Sequence, residues 1–165
     1  MKLNTIFFFL VCVAFAACVR PPEYPIEPRL ELPANGALSK STILQGDRGS
    51  INSRDSLYLT LNFTDGDGDI GFQKADSTLY IIDTRDNSRI NDAQGLPYVP
   101  EQGAGNGISG EIRIKLFGTC CKTLRPCEPT PSHPRDTLIY EVYVKDRAGH
   151  ESNRLKIPAI TLLCQ

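Results

Sequence analysis

Ser56-Leu57-Tyr58-Leu59-Thr60-Leu61-Asn62-Phe63 alternates without a break. A period of two puts Leu57, Leu59, Leu61 and Phe63 on one face of a strand and Tyr58, Thr60 and Asn62 on the other. Glu111-Ile-Arg-Ile-Lys-Leu116 repeats the pattern with its charges outward. Leu138, Tyr140, Val142 and Val144 alternate through Asp136 to Lys145. Leu79 to Ile82, Ile43-Leu44, and Leu155 through Leu163 (interrupted by Pro158) are further strand candidates. No window sustains a 3.6-residue period. Short alternating runs separated by Gly, Asp, Asn and Pro predict an all-β chain folded as an antiparallel sandwich.

Two segments break the alternation. Asp86 to Gly110 is rich in Asn, Gly and Gln around one apolar knot, Leu96-Pro-Tyr-Val99. Gly118 to Arg135 holds three cysteines and several prolines. Loops of this length are uncommon unless they are functional or fastened. The second has cysteines to fasten it. The first has none and is the better candidate for a partner-facing loop.

The amino terminus carries a different signal. Lys2 precedes the apolar run Ile6 to Phe15, then come Ala16, Ala17 and Cys18. A positive start, a short apolar stretch and small residues form a secretory signal. The run is shorter than the ~20 apolar residues that span a bilayer. Phe15-Ala-Ala-Cys18 resembles the lipobox of bacterial lipoproteins, with Phe15 where Leu is usual. The resemblance implies cleavage before Cys18, and a diacylglyceryl group and further acylation on it. Ordinary secretion with cleavage after Ala14-Phe15-Ala16 is the alternative. Val19 is not acidic, and in that family this implies the outer membrane, here facing the periplasm. Residues 1–17 are then the signal peptide, residues 18–36 the lipidated cysteine and a proline-rich tether, and residues 37–165 the domain. Pro21, Pro22, Pro25, Pro28 and Pro33 favour extended geometry, so about fifteen residues reach on the order of 45 Å. Leu30-Glu31-Leu32 also reads as the first edge strand, and the two readings are compatible because proline is tolerated at strand edges.

The formal net charge is −1 and the basic residues are scattered, which argues against nucleic acid as a partner. Without Cys12 in the signal and Cys18 in the anchor, Cys120, Cys121, Cys127 and Cys164 remain. An even number in an exported chain reads as disulfides. A vicinal Cys120–Cys121 bond is strained, so each of the two is expected to pair with Cys127 or Cys164. A metal site of Cys120, Cys121, Cys127 and His133 lacks the spacing of zinc ligands.

The strongest chemical motif is Phe63-Thr-Asp65-Gly-Asp67-Gly-Asp69-Ile-Gly-Phe72. Three carboxylates on a tight turn repel one another unless a hard cation sits among them. Calcium accepts six to eight oxygens in tolerant geometry and fits better than magnesium. The loop resembles the first half of an EF-hand, with Asp76 at the twelfth position. Ile70 stands where that family needs Gly, and strands flank the loop, so only the ion chemistry carries over. The competing reading is a plain Asp-Gly hairpin turn. Asp146-Arg-Ala-Gly149-His resembles the D-x-A-G-N turn that precedes the last strand of bacterial immunoglobulin-like and fibronectin-like domains. It is either a simple turn or one that adds Asp146 to the ion. Together these features resemble small bacterial envelope lipoproteins with an immunoglobulin-like domain and a DGDGD loop. The resemblance implies an immunoglobulin-like sandwich, with no stated activity.

Asp55-Ser56-Leu57, Asp76-Ser77-Thr78 and Asp136-Thr137-Leu138 resemble the Asp-Ser/Thr-aliphatic O-glycosylation sequon of some Gram-negative bacteria; ordinary turn-to-strand chemistry is the alternative. No phosphate loop, nucleophile elbow or H-E-x-x-H motif is present. The expectation is a non-catalytic, membrane-tethered binding or assembly module, with calcium as a structural ion and an envelope protein or glycan as partner. Alternatives are an accessory domain with carbohydrate-active or peptidase function, and a purely structural spacer.

Overall fold

The computed structural model describes residues 23–45, 55–72, 78–90, 95–100, 107–122 and 132–164. Ten strands form among them and no helix does: β1 (Arg29–Glu31), β2 (Thr42–Leu44), β3 (Ser56–Asp65), β4 (Leu79–Asp83), β5 (Ser88–Arg89), β6 (Ile108–Phe117), β7 (Arg135–Leu138), β8 (Tyr140–Val144), β9 (Leu155–Lys156) and β10 (Ile160–Leu163).

The alternating runs become the long strands. β3 pairs antiparallel with β6 over its whole length, from Ser56 opposite Phe117 to Asp65 opposite Ile108. Leu57, Leu59 and Leu61 are buried, as are Ile112, Ile114 and Leu116, while Arg113 and Lys115 point to solvent. β1 adds to the other edge of β3 and completes a sheet of order β1-β3-β6.

Two further sheets have orders β2-β10-β7 and β5-β4-β8-β9. They share one bent ribbon. Only Ile139 separates β7 from β8, and the segment around Pro158 separates β9 from β10. Ile157 N–H still donates to the Tyr140 carbonyl across this break at 3.0 Å. Proline has no N–H to give a ladder, so the interruption at Pro158 follows from its chemistry. The ribbon faces the β1-β3-β6 sheet. Val142, Val144, Leu138, Ile160 and Leu162 pack with Leu59, Leu61 and Ile114 in one buried cluster. Each such aliphatic side chain contributes about 1.5–3 kcal/mol by leaving water. The fold is an all-β sandwich, antiparallel among the described strands except where β2 runs parallel to β10.

The edge strand expected at Leu30 forms. Leu30 is 1% exposed. Its N–H donates to Asn153 Oδ1 at 2.8 Å, and Asn153 Nδ2 donates to its carbonyl at 3.1 Å. The proline-rich segment from residue 23 onward therefore lies on the domain and is not a free spacer. The domain begins earlier than residue 37, and the extended reach of about 45 Å does not apply to the described part.

The two ends of the sandwich differ. At one end, Cys121 is bonded to Cys164, with Cα atoms 5.9 Å apart, which ties the end of β10 to the segment after β6. Cys120 is disulfide-bonded too. Neither sulfur is then a metal ligand, and the vicinal bond is excluded. Cys127 lies outside the described residues. Beside the bridge, Arg85 joins Asp83 and Asp136 at 2.7 and 2.6 Å, and Lys122 joins Asp83 and Asp86 at 2.9 and 2.6 Å. The Arg85 and Lys122 hydrogen bonds hold Asp83 below the usual carboxylate range, although its burial acts the other way. The opposite end carries the acidic loop.

Candidate metal centre

Register delivers two of the acids. Asp65 lies in phase with Leu57, Leu59 and Leu61, so the pleat that points the leucines inward points its carboxylate inward too. Asp146 is in phase with Val142 and Val144 just beyond the end of β8. The two residues are 0% and 1% exposed. β3 and β8 belong to opposite layers, and their ends meet at this pole.

The turn after β3 brings the other two. Ile70 N–H donates to Asp65 Oδ2 at 3.0 Å, which folds the loop back over its own start. Gly66 permits this turn against the amino-terminal segment: a Cβ there would sit 2.4 Å from the carbonyl oxygens of Tyr24 and Pro25. Asp69 Oδ2 accepts from Ala148 N–H at 2.8 Å, and its carbonyl accepts from Arg147 N–H at 3.4 Å. The acidic loop and the turn after β8 are thereby joined. Oxygens of Asp65, Asp67, Asp69 and Asp146 lie within 4.8 Å of one another.

Three of these oxygens are orphans. Oδ1 of Asp65, of Asp67 and of Asp69 are each buried with no hydrogen-bond partner. A buried carboxylate oxygen without a partner is costly, and like charges beside it add to the cost. Burial first, then the Asp67, Asp69 and Asp146 charges, push the Asp65 carboxyl up to about 7. Burial and the Asp146 and Asp67 charges also push Asp69 up. Asp146 is better provided. Its Oδ1 accepts from Gly149 and His150 N–H, both at 2.7 Å, and its Oδ2 lies 2.9 Å from His150 Nδ1. That hydrogen bond draws the imidazole pKa upward. The result is a buried acidic cluster of hard oxygen donors that can hold a metal ion. Asp67, Asp146 and His150 form a second, overlapping group of the same reach.

Asp65, Asp67, Asp69 and Asp146 are brought together as one cluster. Asp76 lies outside the described residues, as do Cys18 and Ser77. Ser56 opens β3 half-buried, and Thr137 stands exposed on β7. The sequence reading missed His150 and Arg147 as neighbours of the cluster; their adjacency to Asp146 was the available signal. Arg147 Nη1 donates to the carbonyls of Ile70, Gly71 and Val99 at 3.3, 3.1 and 3.0 Å. No known protein family, curated protein or solved structure matches this chain.

Proposed function

We propose that this chain is a non-catalytic, lipid-anchored module of the bacterial cell envelope, one that binds or assembles with other envelope components and is stabilised by calcium. The convergence of three partnerless, buried carboxylate oxygens carries the calcium reading. Four carboxylates without sulfur suit a hard divalent cation, and calcium tolerates irregular oxygen sets. His150 Nδ1 is engaged by Asp146, which favours the four-carboxylate set over one using imidazole.

The anchor reading rests on Phe15-Ala-Ala-Cys18 and adds a limit of reach. Tyr24 and Pro25 pack against Gly66 of the acidic loop. A chain from Cys18 to Tyr24 spans about 20 Å at full extension. A lipid on Cys18 would therefore keep Tyr24 and the acidic pole within about 20 Å of its point of attachment.

Two measurements test the halves separately. Calcium is expected to raise the melting temperature, and Asp67→Ala to abolish the rise; identical melts in calcium and in chelator would end the calcium reading. Cys18→Ser is expected to move the chain from the membrane fraction to the soluble one, and unchanged fractionation would end the anchor reading.

A further inference from the structure

The segment Gly95 to Pro100 is fastened to the acidic loop, to Thr78 and, through Leu96 and Val99, to the core. Val99 N–H donates to the Ile70 carbonyl at 3.4 Å, and Leu96 N–H donates to Thr78 Oγ1 at 2.9 Å. Arg147 grips both sides: its Nη1 reaches the Ile70, Gly71 and Val99 carbonyls, and its guanidinium lies 4.8 Å from the Tyr98 ring centre. Gly71 has φ +82°, and a Cβ on it would sit 2.1 Å from the Pro97 carbonyl oxygen. Backbone therefore packs on backbone where the segment crosses the loop.

Under this strap lies a mostly apolar groove of about 290 Å³, walled by Phe63, Ile70, Leu96, Val99, Ile112 and Ile114, with Glu111 and Arg113 also lining it. Both anchor points of the strap are neighbours of the acidic cluster. Ile70 is hydrogen-bonded to Asp65. Arg147 follows Asp146, and its N–H donates to the Asp69 carbonyl.

We propose that a cation held by Asp65, Asp67, Asp69 and Asp146 latches the Gly95–Pro100 strap across this groove, through Ile70–Gly71 on one side and Arg147 on the other. With the cation present, the carboxylates converge and the two anchor points are fixed together. Without it, their repulsion spreads the loop from the turn after β8, Arg147 loses its set of carbonyls, and the strap lifts from Ile112 and Ile114. Cation binding is thereby converted into closure of a mostly apolar surface. The proposal rests on the cation reading above and extends it to regulation of the same pole.

Hydrogen exchange of the whole chain in calcium and in chelator tests it, with calorimetry of calcium binding in parallel. In the wild type, Leu96 and Val99 amides are expected to be protected roughly tenfold or more by calcium, while Leu59 and Leu61 amides in β3 change little. Arg147→Gln is expected still to give a calorimetric calcium signal and to lose that protection. Asp67→Asn is expected to weaken calcium binding and the protection together. Calcium binding with unaltered Leu96 and Val99 exchange would overturn the latch, and so would equal protection of strap and core. Full calcium-dependent protection in Arg147→Gln would overturn it as well. Absence of a calorimetric signal would overturn the cation reading itself.

Discussion

Asp65 and Asp146 end the inward-facing rows of two strands in opposite layers, and their carboxylate oxygens lie within 4.8 Å of each other. Each occupies a position where the register calls for an apolar side chain. Leu61 and Val144, the nearest inward-facing buried residues before them, are both 0% exposed. An acid in phase with a core row cannot turn to solvent without breaking the strand. The sandwich therefore imposes the charge cluster, and the orphaned Oδ1 atoms are what a coordinated ion would satisfy.

This cluster sets a pH dependence whose sign is opposite to ordinary acid denaturation. The Asp65 carboxyl is pushed up to about 7 in the fold. Between about pH 4 and pH 7 the folded state thus binds more protons than the unfolded chain, and stability falls as pH rises through that window. Urea denaturation in chelator is expected to show this decline, and Asp65→Asn to remove most of it. Calcium should flatten the profile, because the ion replaces the proton. A profile in chelator that is flat between pH 4 and 7 would contradict the assignment.

At the other pole the carboxylates behave conventionally. Lys122 and Arg85 hold Asp83 and Asp136 below the usual range despite their burial. Their stabilisation is present above about pH 4 and lost as pH falls below it. Arg85→Met leaves Asp83, 2% exposed, with only Lys122 as an ionic partner. Breaking a buried pair costs about 3–5 kcal/mol. The Arg29–Glu31 pair is 65% and 61% exposed, and Arg29→Met is expected to cost under about 1 kcal/mol. Equal denaturation midpoints for the two variants would show that the buried network adds nothing.

The strands were legible because alternation is local, and most of the sites were not because they are assembled from distant segments. Leu57, Leu59 and Leu61 announced β3, and Ile112, Ile114 and Leu116 announced β6. The region from Asp136 to Lys145 reads as one strand, whereas Ile139 divides it; the bend that carries the ribbon between sheets leaves no mark in the alternation. β5 is two exposed residues after Asn87, whose φ of 57° belongs to the turn, and carries no apolar signal. The parallel pairing of β2 with β10 is equally silent, since three residues specify no partner. Within the acidic loop, the three aspartates were visible by spacing. Asp146 was visible as a turn residue, and its place in the cluster follows from the meeting of β3 and β8. The Asp83–Arg85–Asp136–Lys122 network joins three segments, so no window of sequence contains it.

The Cys121–Cys164 bridge closes a long loop. Its sequence separation is 43 residues, for which the loss of chain entropy in the unfolded state corresponds to about 4 kcal/mol. Replacing both cysteines by serine is expected to lower stability by roughly that amount, with the fold retained through the buried cluster. The change is expected to be greatest near the end of β10, where Cys164 N–H donates to the Pro134 carbonyl at 2.9 Å. A denaturation midpoint unchanged by the double substitution would show that the unfolded chain is already constrained there.

Gly71 and Gly149 separate backbone strain from contact. Both adopt positive φ, +82° and +98°. Alanine at either position is strained by about 1–2 kcal/mol. At Gly149 the nearest obstacle to a Cβ is the flexible Lys145 Cε, at 3.8 Å. At Gly71 it is the Pro97 carbonyl oxygen at 2.1 Å, which is backbone and must move. Gly149→Ala is therefore expected to lower stability while leaving Leu96 and Val99 exchange in calcium unchanged. Gly71→Ala is expected to cost more and to accelerate exchange at both amides, because the methyl group pushes the strap off the loop. If both variants left those amides alone, the strap would have to be held by contacts other than its crossing at Gly71.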